Sequence, residues 1–239
     1  LNGAVNAFRS YWLNVIAGIW GVGLIYFLGR LGASFYLLGG LVRGTNSVSD
    51  RRVLDALESC QQQLGLSRKV LLKESDGHMG PLTCGVLKPA IVLPCIMNSW
   101  SSDRLRAVLL HELAHIQRQD VASNIVARLS CSFYWFVPCA WFAMGRANFE
   151  REQACDDLVL GTGFDAPSYA KHLLDLACGS KREIASFSPA VGMAQSVGLE
   201  RRVAVLLGAG VNRRRVSRMT LFMLGIVITL VCVPFAILA

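Results

Sequence analysis

The segment VLLHELAHIQRQD, Val108–Asp120, carries two histidines four positions apart, with a glutamate directly after the first. On a helix, residues i and i+4 lie on one face, so His111 and His115 can turn their imidazoles toward a single ion. Glu112 then stands where it reaches a water at that ion rather than the ion itself. This is the H-E-x-x-H arrangement of zinc peptidases. The context suits a helix. Ser101 or Ser102 serves as its start and Asp103 falls in its first turn. Leu105, Val108, Leu109, Leu113 and Ile116 give it an apolar face.

A catalytic zinc needs three protein ligands and one open position. The downstream candidates are Glu150, Glu152, Asp156, Asp157 and His172. The run FEREQACDD places its acids on a helix that follows an intervening helix. Glu152 and Asp156 are four apart and share a face. One of them can take the metal while the other hydrogen-bonds a ligating histidine. Glu150 points elsewhere on the same helix. His172, in YAKHLLDLA, and His78, in a glycine-flanked loop, read as incidental histidines. Without the upstream motif the acidic run would read as a solvated helix face.

Working outward, the flanks are apolar. YWLNVIAGIWGVGLIYFLG, Tyr11–Gly29, is free of charge and long enough to cross a bilayer. Arg30 interrupts, and LGASFYLLGGLV continues to Val42, so one helix over both would project beyond the hydrocarbon. LFMLGIVITLVCVPFAILA, Leu221–Ala239, reads as a second span. Arg43, Arg51 and Arg52 follow the first span and NRRRVSR precedes the second, which marks both inner flanks as cytoplasmic. The expected organisation is residues 1–43 as a membrane helix with its cytoplasmic extension. Residues 44–218 follow as a cytoplasmic domain and 219–239 as a closing membrane helix. Neither apolar segment has the flanks of a cleaved signal peptide. The chain opens on Leu1 and ends inside an apolar run, as expected of a fragment of a longer, multi-pass protein.

The bulk composition agrees. Of 239 residues, 53% are hydrophobic and 17% charged, against about a quarter charged in ordinary soluble domains. Mean hydropathy is +0.44. The net charge of +8 comes from Arg and Lys flanking apolar segments. No DNA- or RNA-binding motif is visible, so direct nucleic-acid binding is not expected. The eight cysteines form no C-x-x-C pair and read as small buried residues of a reducing compartment.

Within the central region, SVSDRRVLDALESCQQQLG reads as an amphipathic helix closed by Gly65. KVLLKES, LTCGVL and AIVLP read as short strands. Helices are expected over 121–136, ended by Pro138, over 140–160, and over 168–178, before Gly179. CSFYWFVPCAWFAMG, Cys131–Gly145, is apolar, short and broken by proline. It reads as core in contact with the bilayer edge. The fold class is therefore mainly α with a small β-sheet, α+β.

HELAHIQRQD, then EREQACDD, preceded by GPLTCGVLKPAIVLP, resembles the BlaR/MecR-type integral membrane metallopeptidases, gluzincins related more distantly to the Ste24/HtpX membrane proteases. The similarity runs from Trp20 and Gly23 to the last helix. The resemblance implies His111, His115 and Glu152 as zinc ligands, Glu112 as the base and Asp156 as the group behind a ligand. It implies a bacterial cell membrane location and a cytoplasmic protein substrate, often a repressor, cut in signalling, with self-cleavage as an activation step. The rival readings are a zinc-fold signalling module with little peptidase activity and a quality-control protease; intact Glu112 argues against the first.

Four finer expectations follow. Tyr169 and Arg151 are candidate oxyanion donors. Asp120 either orients a nearby helix or arginine or simply ends its helix. Leu82–Pro94 reads as an edge strand near the metal helix, able to take an extended peptide by strand addition, or as an ordinary internal hairpin. The stretch 179–198 reads as a long loop, either a passive surface linker or the place of self-cleavage, near Ser186 and Phe187.

Overall fold

The computed structural model describes residues 2–75, 80–184 and 199–208. Helices dominate, and a four-stranded sheet accompanies them, an α+β arrangement. The first helix, α1 (Asn2–Arg43), runs without a break through Arg30. Its Phe8–Arg43 portion is the stretch among the described residues long and apolar enough to cross a membrane. The second predicted span, 221–239, and His78 lie outside the described residues.

Strands β1 (Asn46–Ser47), β2 (Leu71–Ser75), β3 (Leu82–Cys84) and β4 (Ala90–Pro94) form a mixed sheet in the order β1-β2-β4-β3. β2 and β4 pair in parallel; β1 and β3 are antiparallel to their neighbours. All five residues of β4 are buried, as its central place demands. β1 and β3 are the sheet's two edge strands. The turn from β3 to β4 needs Gly85: its φ is +83°, and a Cβ there would strike the carbonyl of Lys88. The two-residue strand β1 has no periodicity to betray it.

Helix α2 (Arg51–Leu64) starts where Asp50 accepts from the Arg52 amide and ends at Gly65, which adopts φ +66°. Helix α3 (Ser102–Gln117) is capped by Ser101, whose side chain accepts from the Arg104 amide. Ten of its sixteen residues are buried, including His111 and Glu112. It is the axis of the core, with Leu105, Leu109, Leu110 and Leu113 essentially inaccessible. Helices α4 (Asp120–Phe133), α5 (Pro138–Gly161) and α6 (Ala166–Ile184) follow, and α7 spans 199–207. α6 continues past Gly179 to Ile184, so the first residues of the stretch expected as a loop, 179–184, are helical. A glycine ends a helix only where the chain turns left-handed, and Gly179 lies within an α-helical run. Ser186 and Phe187 lie outside the described residues.

α1 is tied to the rest at two levels. Near its C-terminal end, Leu38 and Val42 pack against Cys84, Ala90 and Val92 of the sheet, and Lys73 donates to the Val42 carbonyl at 2.8 Å. Nearer its middle it meets the corner between α4 and α5. There Trp20 donates to the Phe133 carbonyl at 3.0 Å and Trp135 donates to the Trp20 carbonyl at 3.2 Å. The 131–145 segment, expected as core in contact with the bilayer edge, packs on α1 and leaves Phe133, Tyr134, Phe136 and Phe142 exposed.

Candidate metal centre

Both histidines of α3 face one carboxylate on α5. His111 Nε2 lies 3.4 Å from Glu152 Oε2, and His115 Nε2 lies 3.7 Å from Glu152 Oε1. Ligand atoms of these three residues all fall within 4.8 Å of one another. Donors around a tetrahedral zinc, each about 2.0–2.1 Å from the ion, stand about 3.4 Å apart. The spacing of this group fits a single ion.

What stands behind the two imidazoles supports the same direction. His111 Nδ1 is 3.0 Å from the Tyr169 hydroxyl and 3.3 Å from Asp156 Oδ1. Tyr169 also reaches Asp156 at 2.8 Å. His115 Nδ1 is 2.8 Å from Asp120 Oδ2 and 3.2 Å from Cys155 Sγ. Each ring is gripped through Nδ1, which fixes its orientation and turns Nε2 into the space shared with Glu152.

A second group, His115, Asp120 and Cys155, also has metal-like spacing. It uses the same Nδ1 that orients the ring. Its Asp120 is already engaged by Arg118 at 3.4 Å and Arg151 at 3.7 Å. Burial, then the charge of Asp120, pushes the Cys155 thiol far above its ordinary range, so it is a neutral donor to Asp120 at 3.4 Å. The chemistry of that group is support for His115.

Asp120 thus has a role that its sequence position left open. It reaches His115 because the chain turns sharply between α3 and α4: Gln119 adopts φ +57°, the left-handed region. Tyr169 is 1% exposed and sits behind His111, and Arg151 pairs with Asp120 behind His115. Both stand on the wrong side of the imidazoles to receive an oxyanion, which corrects that expectation. Glu150 is half-exposed and paired with Arg146, and Asp157 and His172 belong to neither group.

The residue that the sequence reading missed altogether is Arg202, on α7. Its guanidinium grips Asp156 through Nε at 2.8 Å and Nη2 at 2.6 Å, and touches Glu152 through Nη1 at 3.0 Å. Burial opposes the charged form of Asp156, yet His111 and Arg202 hold its carboxyl far below the usual range. Burial opposes ionisation of Glu152 too, but His111 and then Arg202 bring it down to about 2. Burial likewise disfavours protonated His111, while its bonds to Asp156 and Glu152 outweigh this and raise it to about 9.

Glu112 is held from the sheet. Thr83 Oγ1, on the edge strand β3, donates to Glu112 Oε2 at 2.6 Å and lies 3.2 Å from the Glu112 carbonyl. Within Leu82–Pro94, β3 is an edge strand beside the metal helix and β4 is internal.

A helix bearing H-E-x-x-H, a carboxylate from α5 and a long apolar helix packed on the sheet and on the corner between α4 and α5 are the features that relatives would share. Regulatory protein BlaR1 of Bacillus licheniformis is 32% identical over 144 residues, 60% of this chain and 24% of that protein. The methicillin resistance mecR1 protein of Staphylococcus aureus strain Mu50 is 25% identical over 143 residues, 57% of this chain and 24% of that protein. The mecR1 protein of Staphylococcus epidermidis aligns to the same extent. The chain thus spans about a quarter of the length of the curated relatives it matches. The model of the BlaR1 peptidase M56 family matches residues 4–206, nearly all of the described structure. On that match the chain belongs to the BlaR1 peptidase M56 family.

Proposed function

We propose that this chain is the catalytic part of a bacterial membrane zinc endopeptidase that cuts a cytoplasmic protein, a repressor being the expected class, in transmembrane signalling. Residues 1–43 and 219–239 serve as membrane helices around a cytoplasmic domain, 44–218. The observation that carries the reading is the convergence of His111 Nε2, His115 Nε2 and Glu152 on one point, with each Nδ1 held from behind. His111, His115 and Glu152 would hold the ion. When bound, zinc supplies a lowered water pKa and polarises the scissile carbonyl. Glu112 takes the proton of the attacking water and returns it to the leaving nitrogen. Thr83 aims the carboxylate of Glu112 through its 2.6 Å bond. The open edge of β3 suits an extended peptide, which would then lie beside both Thr83 and Glu112.

The ligand assignment is tested by metal content. Glu152→Ala should lose zinc, while Glu150→Ala, which removes only the pair with Arg146, should keep it. Equal retention by both variants overturns the assignment. Thr83→Val should lower kcat about tenfold, the worth of a hydrogen bond to a charged group, with KM little changed and Thr83→Ser restoring the rate. An effect confined to KM would make Thr83 a peptide contact instead. Val86, exposed in the following turn, is the better position for reading peptide affinity alone.

Metal uptake should depend on pH in a definite sense. In the metal-free protein, the raised His111 contributes stability that is complete below its ordinary value of 6.5 and lost as pH rises through about 9. The depressed Glu152 contributes stability present above 4.5 and lost as pH falls toward about 2. Zinc must displace the His111 proton. The rise in melting temperature on adding zinc should therefore grow between pH 6.5 and 9; a shift that is flat over this range contradicts the pairing.

A further inference from the structure

We infer that the corner between α4 and α5 is a membrane-inserted wedge whose partner is the hydrocarbon of the bilayer, so that the peptidase domain is seated in the membrane as well as tethered to it. This rests on α1 crossing the bilayer. Between Arg9 and Arg30, α1 has no charge over about 20 residues, or about 30 Å of helix, the thickness of the hydrocarbon. The corner docks inside that stretch. Trp20, which bonds to Phe133, lies about 15 Å along the helix from Arg30. Trp135 packs where a Cβ on Gly23 would stand and lies against Phe27, as does Trp141.

The docked segment has the composition of something immersed. From Leu129 to Gly145 there is no charged residue, and exposed arginines, Arg128 and Arg146, flank it on both sides. Both ends of a wedge entering from the cytoplasm should carry such residues, with stems long enough to lift their charge to the headgroups. The exposed side chains of the corner are large and apolar: Phe133, Tyr134, Phe136 and Phe142, the last 79% exposed. In water such a patch is costly, but it continues the lipid-facing surface of α1 without a polar break.

The backbone is also prepared for a medium without water. A non-helical corner in hydrocarbon must satisfy its own carbonyls. Phe133 accepts from the Trp20 indole, Tyr134 from the Val137 amide at 2.9 Å, and Trp135 from the Trp141 indole at 3.0 Å. Pro138 brings no amide hydrogen. The hydroxyls of Ser130 and Ser132 bond back to the carbonyls of Val126 and Arg128. A corner in solvent has no need of two tryptophans to close its carbonyls.

The test is depth measurement by spin labelling of the whole chain in phosphatidylcholine–phosphatidylglycerol vesicles. Nitroxides go at Phe136→Cys and Phe142→Cys, in a background whose other accessible cysteines are replaced. Val22→Cys on α1 and Glu150→Cys on α5 serve as references; all four positions are exposed, so the fold is not challenged. The labels at 136 and 142 should be relaxed by oxygen and protected from a water-soluble nickel chelate, as at 22, while the label at 150 shows the reverse. Nickel access at 136 and 142 equal to that at 150, with 22 still in lipid, overturns the wedge. Protection from both reagents also overturns it, because a protein partner rather than lipid then covers the corner. Nickel access at 22 would show that α1 itself does not span, and the wedge falls with it.

Discussion

Glu112→Gln should retain zinc at wild-type stoichiometry and lose about 10²–10⁴-fold in hydrolysis, the usual worth of a positioned acid–base group. The change removes the proton acceptor but none of the three converging ligand atoms, which belong to His111, His115 and Glu152. It also keeps a side-chain oxygen for the Thr83 hydroxyl to bond, so the edge strand should stay in place. Metal content by atomic absorption and turnover of a peptide substrate, measured on one preparation, check it. Turnover near wild type would assign the proton transfer to another group. Loss of zinc together with activity would mean that Glu112 helps build the site rather than acting as its base.

Asp156→Ala should be the most destabilising single change near the site, by about 3–5 kcal/mol, because it leaves the charge of Arg202 buried without its main partner. Asp156 is 2% exposed and takes two bonds from the guanidinium and one from Tyr169. Zinc should also bind about ten- to a hundredfold more weakly, since His111 loses the group that orients it. The double variant Asp156→Leu with Arg202→Leu should recover much of the stability, as apolar replacement of buried pairs does, without recovering zinc affinity. Denaturant unfolding and zinc titration of the two variants read these effects separately. A double variant no more stable than the single one would show that the pair is not what holds α7 to α5.

The parts of this site legible in the sequence are those whose geometry is local. His111, Glu112 and His115 fall on one helix, where spacing alone dictates a shared face. Glu152 and Asp156 obey the same rule on α5, and so separate from Glu150. The rest depends on chain reversals that spacing does not encode. Asp120 reaches His115 only because Gln119 takes up a left-handed conformation, for which glutamine is no signal. Thr83 reaches Glu112 because the edge of a sheet packs on α3. Arg202 lies 46 residues beyond Asp156, on a helix whose arginines look like an ordinary basic surface until α7 is packed. Tyr169 supports His111 rather than an oxyanion, because sequence cannot say on which side of an imidazole a phenol will stand.

The same distinction holds for the fold. The helix start near Ser101 and the stop at Gly65 were readable because each is a local stereochemical requirement. The sheet order, with the third strand outside the fourth, was not, nor was the continuation of α6 beyond Gly179.

The central claim, that His111, His115 and Glu152 together hold one zinc, is tested most directly by zinc-edge X-ray absorption on the purified protein. The expected result is a first shell of nitrogen and oxygen alone, at about 2.0–2.2 Å, with one zinc per chain. A sulfur neighbour at about 2.3 Å would place the ion with Cys155 in the His115–Asp120–Cys155 group and contradict the claim.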